Sequence, residues 1–182
     1  MADWNTACGR DALFSNTIGG ENTAVGYNCL DANTTGERNT AVGTQALGSN
    51  TTGDNNTAVG RDALFANTTG QRNVAVGQNT LDANTTGYDN TALGRTALTK
   101  CTTGYENTAV GSDALEDLTD GVGNTTIGRL AGYQITGGDY NTCLGRRAGD
   151  NITGGHRNIL IGNDCEADDS STVDSITLGN SM

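Results

Sequence analysis

The chain has 182 residues, room for one domain of ordinary size, but Gly (27), Thr (29) and Asn (21) fill 77 of these positions, proline is absent and aromatics make up 4%. Lys and Arg number 10 against 21 Asp and Glu, and the net charge of -11 would repel a phosphate backbone, which argues against nucleic acid as a partner. No run of 18 apolar residues is present to cross a membrane, Met1 to Phe14 has neither the basic nor the apolar segment of a secretory signal, and a single histidine leaves little for acid–base catalysis.

The bias is periodic rather than random. Counting the first Asn of Asn-Thr-Ala-Val-Gly as position 1, the unit recurs every 17 residues at Asn5, Asn22, Asn39, Asn56, Asn73, Asn90, Asn107, Asn124, Asn141 and Asn158, with Ser175 in the eleventh place. Its idealised form is N-T-A-V-G-x-x-A-L-x-x-N-T-T-G-x-x. Gly holds position 5 in all eleven units and position 15 in nine. A second period of three units lies above the first: Arg10-Asp11-Ala12-Leu13-Phe14 returns as Arg61-Asp62-Ala63-Leu64-Phe65. Residues 1–182 therefore read as a single repeat domain.

Seventeen residues are too few for a helix pair, and Gly recurs too often for any helix. Short Thr/Val segments bounded by Gly and Asn predict two brief strands and two turns per unit. One coil per unit gives an all-β chain, a parallel β-solenoid of eleven coils rising about 4.8 Å each, a rod of roughly 50 Å. Units 1–7 are regular. In units 8 and 9 the Leu of position 9 becomes Gly132 and Gly149 while the Asn of position 12 becomes Ile135 and Ile152, so the large apolar group crosses the coil. Units 10 and 11 are a degenerate end, with Glu166 at position 9.

Alternation along the first strand assigns the faces. Position 4 is apolar in every unit, and position 2 shares its face. Val25, Val42, Val59 and Val76, with Leu30, Leu47, Leu64 and Leu81 of position 9, are the predicted core. The Asn residues of position 1 (Asn22, Asn39, Asn56, Asn73, Asn90, Asn107, Asn124, Asn141, Asn158) are predicted to form a ladder of side-chain amides from coil to coil, or turn residues tolerating a left-handed backbone. The small residues of position 3 (Ala24, Ala41, Ala58, Ala75, Ala92, Ala109) leave a face open to close approach. Two large apolar groups per coil are a thin core for 17 ordered residues, so burial of that small face against other copies is expected, with a homotrimer as the leading state.

Asn-Thr-Ala-Val-Gly with small residues on one face resembles the head repeats of trimeric autotransporter adhesins, whose fold implies a left-handed parallel β-roll and trimer formation. The match is to the first strand of each unit; the 17-residue period is longer than that family's. Blocks such as Asn33-Thr34-Thr35-Gly36 followed by Asn39-Thr40-Ala41-Val42-Gly43, with the late variants Ala131-Gly132-Tyr133 and Ser175-Ile176-Thr177-Leu178-Gly179-Asn180-Ser181, are similar to repeat regions of tail-fibre-like proteins of marine phages and algal viruses. That resemblance implies a matured fibre, from which a C-terminal chaperone has been cut, or a segment of one, and a place in a virion or outside the cell.

Few residues offer chemistry. His156 lies in a surface turn beside Arg157 without a second His. No Gly-x-Gly-x-x-Gly precedes a helix. Cys8, Cys29, Cys143 and Cys165 replace Val or Ala at packed positions and read as reduced core thiols; Cys101 replaces Asn at position 12, and Cys143, on the small face, is a candidate for meeting its symmetry mates. Asp164, Glu166, Asp168 and Asp169, with Asp174, are a weak calcium candidate set by their oxygen ligands. The Asn-Thr-Thr tripeptides at residues 33–35, 50–52, 67–69 and 84–86 predict parallel outward rows of Asn and second Thr, similar to ice-binding surfaces; they are also N-glycosylation sequons. No cofactor and no enzymatic activity are indicated. The sequence points to a structural fibre segment, tail-fibre or adhesin-like, presenting host-attachment surfaces to a cell-surface receptor or glycan on its variable turns. A subunit stacking head to tail into a filament and an ice-binding solenoid are the alternatives.

Overall fold

The structure, a computed structural model, describes residues 4–179. Eleven three-residue strands stack in chain order: β1 (Thr6–Cys8), β2 (Thr23–Val25), β3 (Thr40–Val42), β4 (Thr57–Val59), β5 (Val74–Val76), β6 (Thr91–Leu93), β7 (Thr108–Val110), β8 (Thr125–Ile127), β9 (Thr142–Leu144), β10 (Ile159–Ile161) and β11 (Ile176–Leu178). Each pairs with the next in parallel and in register, position on position, as in Ala41 opposite Ala58. The chain is a parallel β-solenoid of 17-residue coils. The expected second strand is replaced by turns, and only isolated bridges, such as Tyr105 to Val122, break them. The turns also bond from coil to coil, as in Leu47 N to Ala63 O (3.0 Å) and Thr51 N to Thr68 O (3.0 Å).

Two glycine columns make this stacking feasible. At Gly43 the backbone has φ +136°, and a Cβ there would lie 2.5 Å from the carbonyl oxygen of Gly60 in the next coil. At Gly36 the same test meets the Gly53 carbonyl oxygen at 2.5 Å. Any side chain at either column would push adjacent coils apart.

The interior is assembled from positions 1, 3, 8, 9 and 12. Leu30, Leu47, Leu64 and Leu81 are fully buried, as expected. The strand faces are the reverse of those expected. Ala24, Ala41, Ala58, Ala75, Ala92 and Ala109 are fully buried inside the coil, not on a subunit-contact surface. Val25, Val42 and Val76 point outward at 37–38% exposure and Val59 is half-buried, so these valines are not core. The reason is volume. Position 3 faces position 9 across a narrow coil: a Cβ on Gly132 would lie 2.9 Å from Thr126 Cγ2, and one on Gly149 2.6 Å from Cys143 Sγ. With Leu at 9 only Ala fits at 3; where 9 is Gly, position 3 grows to Thr126 and Cys143.

This packing carries local strain. Leu30, Leu47, Leu64 and Leu81 all hold φ of 51–52°, a left-handed backbone uncommon for such a residue and about 1–2 kcal/mol above the right-handed one. Positions 7 and 17 are also left-handed; Asp and Asn, which tolerate that backbone, recur at position 7 (Asp11, Asn28, Asp62, Asn79, Asp113 and Asp164), whereas position 17 takes Arg and Glu as often.

Candidate functional site: the faces of the rod

The Asn of position 1 forms the expected ladder, and it runs through the interior. Asn39 N donates to Asn22 Oδ1 (2.9 Å), and Asn39 Nδ2 donates to the Gly53 carbonyl (2.8 Å). The same pair of bonds recurs at Asn56, Asn73, Asn90, Asn107, Asn124 and Asn141, and Ser175 N closes the series on Asn158 Oδ1 (3.0 Å). Each amide thus ties its own coil shut and joins it to the next.

A second ladder lies opposite. The Asn of position 12, expected on the outside, is fully buried at Asn33, Asn50, Asn67 and Asn84. Its Nδ2 donates to the Oδ1 one coil back (Asn50 to Asn33, Asn67 to Asn50 and Asn84 to Asn67, 2.8 Å each) and to the position-15 carbonyl three residues on. Being interior, these asparagines are not an outward row, and their sequons are closed to a glycan in the folded chain. The first Thr of each tripeptide donates its hydroxyl to the same residue's carbonyl in the next coil, as in Thr51 to Thr68 (3.0 Å). Only the second Thr (Thr35, Thr52, Thr69) faces outward, a single rank. A polar residue reads as exposed in a sequence; the one signal of a second amide stack is that Asn recurs at position 12 with the same 17-residue spacing as at position 1.

The cysteines are free, and four are buried. Burial pushes the thiol of Cys29 up to about 11 and those of Cys101 and Cys143 up to about 12. Cys143 is interior and cannot meet a symmetry mate. Cys8, expected to be packed, is exposed because position 4 faces out.

The acidic end does not gather. Asp164 pairs with Arg146 (2.6 Å), Asp169 caps the Ser171 amide (2.8 Å), and among the described residues no three His, Cys, Asp or Glu side chains are placed to hold a metal ion together. His156 Nδ1 accepts from the Asp139 amide (3.1 Å) in a half-buried turn, one more rung between coils. Other rungs are ionic. Arg72 binds Asp89 (2.7 Å) one coil on, and that hydrogen bond holds the Asp89 carboxyl below its ordinary range. At Asp113 burial works upward but is outweighed by bonds from Thr96 and Ser112 and by Arg95, leaving its carboxyl below the usual range. Tyr88 and Tyr105 stack with centroids 4.7 Å apart, with Arg72 over Tyr88.

Among the described residues no pocket opens into the rod. What remains is the outer side of the sheet. Positions 2 and 4 of all eleven strands are Thr, Val, Leu, Ile or Cys, without one charge, in a chain of net charge -11. It ends in Ile159, Ile161, Ile176 and Leu178, exposed at 38–69%. Asn180 and Ser181, part of the late repeat pattern, lie outside the described residues. No protein-family model, no curated protein and no solved structure matches this chain.

Proposed function

We propose that the protein is a structural fibre segment, non-enzymatic, of the kind found in viral or phage tail fibres and adhesin-like stalks outside the cell, and that it works as a self-associating rod, with a homotrimer as its state. The observation that carries this reading is the charge-free Thr/Val face running along all eleven strands. A charge-free, partly apolar strip of that length marks a contact surface. The thin core, one Leu or Ile per coil in most units, adds to the argument, since association would bury apolar area that a single chain leaves in water. The subunit contact passes from the Ala column to the Thr/Val face, and the variable turns at positions 10 and 11 stay outside, free to meet a receptor or glycan. Light scattering over a dilution series tests it: a constant mass of three chains of 18.6 kDa is expected, and a monomer at every concentration overturns it. Mass growing without limit would mean end-to-end filaments instead.

A second reading has one observation behind it. The hydroxyls of Thr23, Thr40 and Thr57 and, past Val74, those of Thr91 and Thr108 form an outward rank, and their side chains take no part in the hydrogen bonding of the coil, unlike the Thr rank of position 13. Such a flat rank could order water as an ice-binding surface does. A monomer with thermal hysteresis, lost in Thr40→Lys and Thr57→Lys, would establish it.

A further inference from the structure

The Thr/Val face is too narrow to hold copies together unaided. Eleven strands at about 4.8 Å and three residues of width give roughly 500 Å², below the about 800 Å² per partner of a stable interface. The residues bordering the strands must join it, and they differ from side to side. After each strand, past the glycine, position 6 carries Arg10, Arg61, Arg95, Arg129 and Arg146, all exposed, and no acid among the described residues; four of them pair with an Asp of position 7 (Asp11, Asp62, Asp113 and Asp164), where Arg147 adds one more cation, so arginines still outnumber acids on this border. Before each strand, position 17 carries Glu21, Asp89, Glu106 and Asp174 against Arg38, Arg72 and Arg157, all exposed; position 16 adds Glu37, Asp54 and Asp139. One border is basic and the other acidic on balance.

We infer that copies of this chain meet through the Thr/Val face in parallel and in register, about an axis along the rod, with the basic border of one copy against the acidic border of the next. This rests on the self-association reading above. An axis along the rod sets position 6 of one copy beside position 17 of its neighbour in the same coil. In that arrangement Asp89 meets Arg95, and no arginine meets an arginine: Arg38 lies beside Thr44, Arg72 beside Gln78 and Arg157 beside Asn163. An axis across the rod reverses the order and sets like border on like. Centred on β6, it would put Arg95 on Arg95, Asp89 on Asp89 and Arg61 on Arg129. Juxtaposed like charges disfavour that pairing, and complementary borders fix orientation and register. The apolar ends of β10 and β11 then also meet their own kind.

Cys8 reports on the arrangement, because it is the exposed thiol of the face and lies in the first coil. Mild oxidation of the associated protein, followed by non-reducing electrophoresis, is expected to link chains in Thr6→Cys, because the axis that sets position 6 beside position 17 also sets position 2 beside position 4, and so residue 6 beside Cys8 of the next copy; no linkage is expected when Cys8→Ser is added. Thr57→Cys with Val59→Cys in the Cys8→Ser background is expected to link as well. Only a parallel, in-register assembly brings position 2 onto position 4 in both the first and the fourth coil, since an antiparallel one sets position 4 on position 4 and can centre on a single coil. Arg95→Glu is expected to weaken association about tenfold at low salt, and Asp89→Arg in the same chain to restore it. A monomer by mass overturns the self-association reading and this inference together. A stable oligomer in which either cysteine pair, 6 with 8 or 57 with 59, fails to link leaves self-association standing and overturns the parallel arrangement.

Discussion

Coils 2 to 5 and coils 8 and 9 solve the same packing problem with opposite choices. In the former, a strained Leu at position 9 fills the coil against Ala at position 3, and a second amide ladder lines position 12. In the latter, position 9 is Gly132 or Gly149, position 3 enlarges to Thr126 or Cys143, and Ile135 or Ile152 fills the space from position 12. The interior volume is kept while the left-handed position passes from Leu to Gly, which adopts it freely. The apolar solution removes strain, but it also removes a hydrogen-bond donor. In the regular coils the position-15 carbonyl accepts from two amides: Gly70 O from Asn56 (2.9 Å) and Asn67 (3.1 Å). In coil 8, Gly138 O accepts from Asn124 alone (2.7 Å).

The redundancy gives the largest expected effect. Asn56→Ala orphans the buried Asn73 amide, which donates to Asn56 Oδ1 (3.0 Å), but Gly70 O keeps Asn67. Asn124→Ala orphans both the Asn141 amide and Gly138 O. At roughly 1–3 kcal/mol per unsatisfied buried group, losses of about 2 and about 4 kcal/mol are expected. Denaturant titration of the two variants checks this, and equal losses would refute the shared-acceptor account.

Next in size is the reversal of size preference at position 9. Leu64→Ala should lose about 3 kcal/mol by opening a cavity. Gly132→Ala, a far smaller change, should still lose roughly 1–2 kcal/mol, since the new Cβ meets Thr126 Cγ2 at 2.9 Å and Ile135 Cδ1 at 3.0 Å. Adding Thr126→Ala to Gly132→Ala should recover part of that loss. Additive behaviour in this double-mutant cycle would mean positions 3 and 9 do not meet.

This pairing is present in the sequence and is the sign needed to orient the strand. The 17-residue period, the glycine columns, the inner Asn ladder and the Leu row are all legible, because each is a column of one residue type whose chemistry admits few explanations. The strand faces are not, because in Thr-Ala-Val the more apolar residue invites burial, and three residues are too short for alternation to decide. Thr126 with Gly132, and Cys143 with Gly149, show position 3 enlarging where position 9 shrinks, which only facing interior residues do. The Asn of position 12 escapes a reading of the sequence for the converse reason: a buried amide is unfavourable alone and becomes acceptable only when each neighbour supplies a partner, a fact of the stack and not of any single unit.

The junction between the two regions should yield a smaller, favourable effect. The position-12 ladder stops at Asn84, whose Oδ1 is buried without a partner because Cys101 occupies the next coil. Cys101→Asn would add a rung with the geometry of Asn84 on Asn67 (2.8 Å), and stability is expected to rise by about 1 kcal/mol. A loss on denaturant titration would show that the thiol packs better there than an amide bonds.

The smallest expected effect is the onset, near pH 9, of an alkaline loss. Cys101 replaces an amide at position 12 and Cys143 an alanine at position 3, and burial raises both thiols from 9.0 to about 12. The unfolded chain therefore releases these protons first, and the folded chain holds more protons between those values. Stability is fully present below about pH 9 and declines as pH rises towards about 12. At pH 9 itself the decline is roughly 0.4 kcal/mol per thiol. Cys143→Ala, which restores the residue of the regular coils, should flatten the slope of stability against pH above 9 relative to the wild type. An unchanged slope would mean that Cys143 titrates alike in the folded and unfolded chain, and that the interior of coil 9 admits water where that of the regular coils does not.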